Sequence, residues 1–205
     1  HEKAVHVLVR GGQALQALDL VDRHRVAVSE DLAERVTGAL EAGPEQDRPT
    51  GLRRLADICL AQHHFQLAAK KYTQAGMKDK AMEALLRSGD TDKIIFFAGV
   101  MRSKDIYIKA ANYLQTLKWH EDAELHRRII DFYTKAKAHA QLASFFDACS
   151  QVEIDEFRNY DKALEALQES RRQLVKAGRD AAPLDRRIAA VEDFVRARTA
   201  AAEGG

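Results

Sequence analysis

The residues best able to do chemistry are few and scattered. Cys59, His63 and His64 form a Cys-x3-His-His run, a spacing that offers soft and borderline metal ligands. A zinc site needs about four ligands in fixed geometry, and no second ligand cluster stands near this one. His120 and Glu124 are spaced i, i+4, so one pair could reach an ion from one helix face, but no HExxH motif accompanies them. Asp19 with Asp22, and Asp155 with Glu156, are the candidate carboxylate pairs. Acid–base work needs such a pair in a pocket that separates the two pKa values, and these pairs read instead as solvated helix faces. Gly11–Gly12 follow no strand and read as a turn between helices rather than a phosphate loop; no GxSxG occurs. No catalytic, cofactor or metal site is assigned, and the chain is expected not to be an enzyme.

Charge excludes a second class of function. Lys and Arg number 32 against 31 Asp and Glu, a formal net charge of +1. A nucleic-acid binder gains most of its affinity from phosphate contacts and carries a basic surplus. The doublets Arg53–Arg54, Arg127–Arg128, Arg171–Arg172 and Arg186–Arg187 lie among acidic neighbours and read as solvated faces. Nucleic acid is therefore not an expected partner. No apolar run reaches the ~18 residues of a membrane span, so direct membrane insertion is not expected. Two cysteines, Cys59 and Cys149, without a CxxC, fit free thiols in a reducing compartment. The chain begins at His1 inside what reads as a helix face (Ala4, Val5, Val7, Leu8), which suggests a fragment of a longer protein.

The elements that would position these residues are helices throughout. The three prolines, Pro44, Pro49 and Pro183, are confined to polar stretches, and proline is what a helix interior excludes. Apolar residues recur at helical spacing: Leu15, Leu18 and Val21; Leu32, Val36 and Leu40 behind a Ser29 cap; then Leu52, Leu55 and Cys59. Later stripes run Ala81, Ala84, Leu85 up to a Gly89 stop; Ile106, Ala110, Tyr113, Leu117 behind Ser103; Leu125, Ile129, Phe132, Tyr133; and Leu142, Phe145, Cys149. A longer helix from Tyr160 to Ala177 spans roughly 27 Å at 1.5 Å per residue, with Ala163, Leu164, Leu167 and Leu174 on its face. The last helix opens at Pro183 and uses Leu184, Ile188, Val191 and Val195. Trp119 reads as an anchor at a turn, and only one of Phe96–Phe97 and one of Phe145–Phe146 can face a core. The spacing predicts helical hairpins over 1–42, a Pro/Gly loop over 43–51, a helical array over 52–177, and a C-terminal helix with a frayed tail over 178–205.

Short helices joined by short turns, with small residues where neighbours approach, are the pattern of a solenoid in which no pair buries its own face. The expected class is all-α, an α-α superhelix without a sheet. Residues 52–80 fit the tetratricopeptide template best. With Ala68 at the first small position of the second helix, Tyr72 takes the bulky aromatic position and Ala75 the second small one. Counting back, Ala56 is the small residue of the first helix, and Leu52 and Leu55 are its apolar positions. Lys80 stands where the template has a proline. Elsewhere the spacing drifts, so the array is expected to be irregular.

Several ordered runs resemble the large-subunit family of intraflagellar transport complex A, the one-hundred-and-forty-kilodalton class. They include Leu55-Ala56-Asp57, Ala69-Lys70-Lys71-Tyr72-Thr73-Gln74-Ala75-Gly76, Ser88-Gly89-Asp90-Thr91, Ala110-Ala111-Asn112-Tyr113-Leu114-Gln115, Phe132-Tyr133-Thr134-Lys135, Gln151-Val152-Glu153-Ile154-Asp155-Glu156 and Asn159-Tyr160-Asp161-Lys162-Ala163. The resemblance covers most of 52–163 and implies the C-terminal, tetratricopeptide-like part of such a subunit. It further implies a non-catalytic scaffold in retrograde ciliary transport that helps membrane proteins enter cilia. The implied partners are other subunits of complex A and membrane-cargo adaptors, at the cilium or flagellum and basal body on the cytoplasmic side. A vesicle-coat-type solenoid outside cilia shares this architecture and is the alternative.

Overall fold

The computed structural model describes residues 1–203, which form twelve helices and no strand. They divide into two compact units, one from His1 to Arg102 and one from Ser103 onward. The first holds α1 (Glu2–Arg10), α2 (Ala14–His24), α3 (Glu30–Ala42), α4 (Asp47–Ala61), α5 (Phe65–Gln74), α6 (Lys78–Ser88) and α7 (Thr91–Met101). The second holds α8 (Lys104–Leu114), α9 (Ala123–Lys135), α10 (His139–Asp155), α11 (Tyr160–Lys176) and α12 (Ala182–Glu203). The array expected over 52–177 thus runs across the boundary between two units.

Each unit is built of helices packed on their sequence neighbours. In the first, α1 lies on α2, α4 on α5, α5 on α6 and α6 on α7; α1 also reaches α3, and α2 reaches α4. In the second, α8 pairs with α9, α10 with α11, and α11 with α12. The first core centres on Leu18, Val36, Leu55, Tyr72, Met82 and Ile94, the second on Ile106, Leu114, Phe132, Phe145 and Leu167, all buried. Removing that apolar surface from water is the main stabilising term.

One turn recurs and explains the short connections. A residue at positive φ follows the C-cap, or in α2 is itself the C-cap, and the N–H of its successor bonds the carbonyl five residues before that successor. It occurs at Gly12 (Gln13 to Leu8), Arg25 (Val26 to Val21), His63 (His64 to Cys59), Gly76 (Met77 to Tyr72), Lys137 (Ala138 to Tyr133) and Gly178 (Arg179 to Leu174). Glycine enters that conformation freely, and the three L-residues are strained. Sequence inspection for glycine finds half of these turns.

The expected loop over 43–51 is shorter than read. α4 begins at Asp47 and includes both Pro49 and Gly51. Pro49 lies in the first turn, where helix N–H groups have no intrahelical partner and its missing one costs nothing. Gly51 lies against α3, where a Cβ would run into the Leu40 side chain. The segment Val26–Val28 is tied down by Gln62, which accepts from the Val28 N–H and donates to the Val26 carbonyl, both at 2.8 Å.

Other differences concern which side chains are covered. On α1 the buried residues are Val5 and Val9, and Val7 is 68% exposed. On α11 the buried face is Ala163, Leu167, Ser170 and Gln173, with Leu164 and Leu174 only half-buried. The polar members are satisfied: Ser170 donates to the Ala143 carbonyl at 2.8 Å, and Gln173 Oε1 lies 2.9 Å from His139 Nδ1. Helix α12 opens at Ala182, packs on α11 and continues through Glu203. The Tyr160 ring meets that of Phe194 at a tilt of 46° with centroids 4.6 Å apart, and an Arg171–Asp185 pair joins the two helices. Of the tail expected to fray, Gly204 and Gly205 lie outside the described residues.

Candidate functional site

The residues of the template are placed as follows. Leu52, Leu55 and Ala56 on α4 and Ala68 and Tyr72 on α5 are buried, none above 1% exposed. Ala75 is half-buried and serves as the C-cap of α5 rather than a member of the helix. The Tyr72 hydroxyl donates to Asp57 Oδ1 at 2.5 Å, which links α5 to α4. Arg53 at 3.9 Å and Lys80 at 3.5 Å flank the same carboxylate. Burial, with the Asp57 acceptor adding to it, pushes the Tyr72 hydroxyl well above its usual range, so it stays protonated as the donor.

The sequence offered no signal for the next residue. Lys71 neighbours Tyr72 on α5, yet its side chain is fully buried. Its ammonium donates to Glu34 Oε1 at 2.9 Å and to Thr37 Oγ1 at 2.8 Å, both on α3. Thr37 in turn donates to the Ala33 carbonyl at 2.7 Å, so the network is closed. Lys70 shares Glu34 at 2.9 Å from outside. The hydrogen bond from Lys70, then that from Lys71, holds the Glu34 carboxyl below its ordinary 4.5. A cation is tolerated inside only when paired and hydrogen-bonded. A hydrophobic stripe drawn at helical spacing passes over such a lysine because pairing depends on a partner 37 residues away.

The chemistry-bearing candidates do not converge. Cys59 is buried, whereas His63 and His64 are exposed in the turn after α4. Burial pushes the Cys59 thiol up to about 11 and the Cys149 thiol up to about 12, the opposite of an activated nucleophile. His120 Nε2 lies 3.7 Å from Glu121 and 3.8 Å from Glu156, while Glu124 binds Arg127 at 2.5 Å and Arg128 at 2.7 Å. Asp19 pairs with Arg54, and Asp155 accepts from Gln151. Among the described residues no group of three or more His, Cys, Asp or Glu could hold a metal ion. Trp119 lies in the α8–α9 turn, half-buried, with its ring 5.0 Å from Phe145. Phe145 is buried, and of the other aromatic doublet Phe97 is 9% and Phe96 73% exposed.

That Phe96 stands on the wall of a cleft of about 850 Å³ in the first unit. The start of α3, the α4–α5 turn, α5 and α7 enclose it, and Phe65, Leu67, Leu85 and Phe97 add apolar wall. Lys70 and Lys93 stand at its rim with Glu30. The cleft is an open trough between packed helices, with apolar aromatic walls and lysines among its lining.

Two family models match the chain. Residues 1–132 match the tetratricopeptide-repeat (TPR) domain family of the intraflagellar transport proteins 140 and 172. Residues 140–204 match the C-terminal TPR domain of the intraflagellar transport 140 protein. The first match ends within α9 and the second starts with α10, the helix that pairs with α11. An all-helical chain of stacked pairs is the α-α superhelix class expected of such domains. With well over half its length matched, the chain belongs to the intraflagellar transport 140/172 TPR domain family, as a C-terminal TPR region of the 140 kind.

Proposed function

We propose that this chain is a non-catalytic, protein-binding scaffold segment of an intraflagellar transport complex A subunit. Two successive matches to TPR domains of the intraflagellar transport 140 kind carry this reading. Helix pairs whose apolar faces are spent on one another, and thiols held neutral by burial, support it. In this reading Leu52, Leu55, Ala56, Ala68, Tyr72 and Ala75 pack the repeat, and the outward faces of the helices meet partners. Those partners are other subunits of complex A and membrane-cargo adaptors. The work done is retrograde ciliary transport and helping membrane proteins enter cilia, on the cytoplasmic side of the cilium or flagellum and at the basal body. No helix among the described residues is long and apolar enough to cross a membrane.

The test is expression of the tagged chain in ciliated cells, followed by affinity recovery and imaging. Complex A subunits are expected in the eluate and the tag at cilia and basal bodies. A folded chain that recovers vesicle-coat subunits and gathers at Golgi membranes would overturn the proposal.

A further inference from the structure

The cleft of the first unit has two kinds of lining that belong together only if something fills it. Its wall is apolar: Phe65 and Leu67 from α5, Leu85 from α6, Phe97 and above all Phe96 from α7. A phenylalanine 73% exposed beside a trough of about 850 Å³ is a large apolar surface left in water, which marks an interaction site rather than a core. Among the charged residues that line the cleft, two lysines stand against one acid, Glu30. Lys70 and Lys93 are each 51% exposed there, and His63 and His64 border the same opening. The acids that face these groups are Glu30 on α3, Glu34 beneath Lys70, and Asp90 at 3.4 Å from Lys93. The Lys93 ammonium also donates to Gln66 Oε1; exposed pairs of this kind add little stability, so a second carboxylate can share each ammonium with its present partner. Arg87 lies over the Phe65 ring at 5.0 Å, which keeps a further cation beside the apolar wall.

We infer that this cleft is a docking site for an acidic peptide segment of a partner protein, carrying one aromatic or leucine anchor. The anchor sits against Phe96 and Phe65, and flanking carboxylates meet Lys70 and Lys93. Apolar burial supplies the affinity, and the charges supply register and the salt dependence of binding. The inference rests on the protein-binding reading above and names the chemistry of one partner segment.

The experiment is selection of random twelve-residue displayed peptides on the 205-residue chain, with affinities then read by fluorescence anisotropy. Enriched sequences are expected to place Asp or Glu around a Phe, Trp or Leu. Their binding should weaken about tenfold in Phe96→Ala and in Lys93→Glu, and should fall with added salt. Both side chains are exposed, so thermal melting should show the variants folded. Enrichment of neutral or basic sequences, no enrichment, or undiminished binding to both variants overturns the inference. So does self-association of the chain that Phe96→Ala abolishes, which would assign the cleft to a second copy. The two readings fail separately. Recovery of complex A subunits by wild type and Phe96→Ala alike, without peptide binding, removes the cleft and leaves the scaffold. Peptide binding by a chain that recovers no complex A subunit does the reverse.

Discussion

Lys71 sets an energetic problem that its neighbours solve. Its stem and ammonium are out of water, and Glu34 and Thr37 replace the lost hydration. Glu34 is 45% exposed and can rehydrate if the lysine is lost. Lys71→Met, which keeps the volume, should therefore change stability by less than about 1 kcal/mol, whereas Lys71→Ala leaves a cavity and should cost about 2–4 kcal/mol. Chemical denaturation measures both, and equal losses would show that the charge itself is required. The pH dependence has a definite sign. Glu34's folded pKa lies below 4.5, so its contribution is complete above 4.5 and is lost as pH falls through the lowered value. The melting temperatures of wild type and Glu34→Gln should differ at neutral pH and converge in acid. At the next residue, Tyr72→Phe removes the hydrogen bond to Asp57 while keeping the ring. A loss of about 1–2 kcal/mol is expected, read as a fall of a few degrees in Tm.

At the scale of elements, the repeating turn decides how one helix hands over to the next. Lys137, exposed, and Gly76 occupy equivalent places with φ of 52° and 75°. Lys137→Gly should stabilise by about 0.5–1 kcal/mol by relieving the left-handed strain, and Gly76→Ala should destabilise by about 1 kcal/mol. Paired thermal melts check both, and a destabilised Lys137→Gly would contradict the argument. Caps behave more locally. Ser29 accepts from the Leu32 N–H at 3.2 Å, and Asp90 accepts from that of Lys93 at 3.1 Å, as short-range composition favours. Ser103, read as the start of a helix, is the N-cap of α8 without a side-chain cap bond.

At the scale of the whole molecule, the net charge of +1 is reached by local neutralisation. Arg53 and Arg54 pair with Asp57 and Asp19; Arg127 and Arg128 share Glu124; Arg171 and Arg172 pair with Asp185 and Glu169; Arg187 pairs with Asp147. These doublets therefore form no basic stripe that could follow a phosphate backbone. Titration with single-stranded RNA at physiological salt should give no binding tighter than about 1 µM, and tighter, salt-dependent binding would contradict the charge argument.

What the sequence determines by itself is what depends on near neighbours along the chain. Helical periodicity, the Ser29 cap, the Gly76 and Gly89 helix ends and the spacing of Leu55, Ala56, Ala68 and Tyr72, all buried, are written within a few residues of where they act. Tertiary structure alone decides what depends on distant partners. It buries Lys71 because α3 brings Glu34 and Thr37 to it, draws Pro49 and Gly51 into α4 against Leu40, and places Ser170 and Gln173 inside because Ala143 and His139 can satisfy them. It also turns Phe97 inward and leaves Phe96 on the cleft wall, a choice between adjacent residues that periodicity poses and only packing answers.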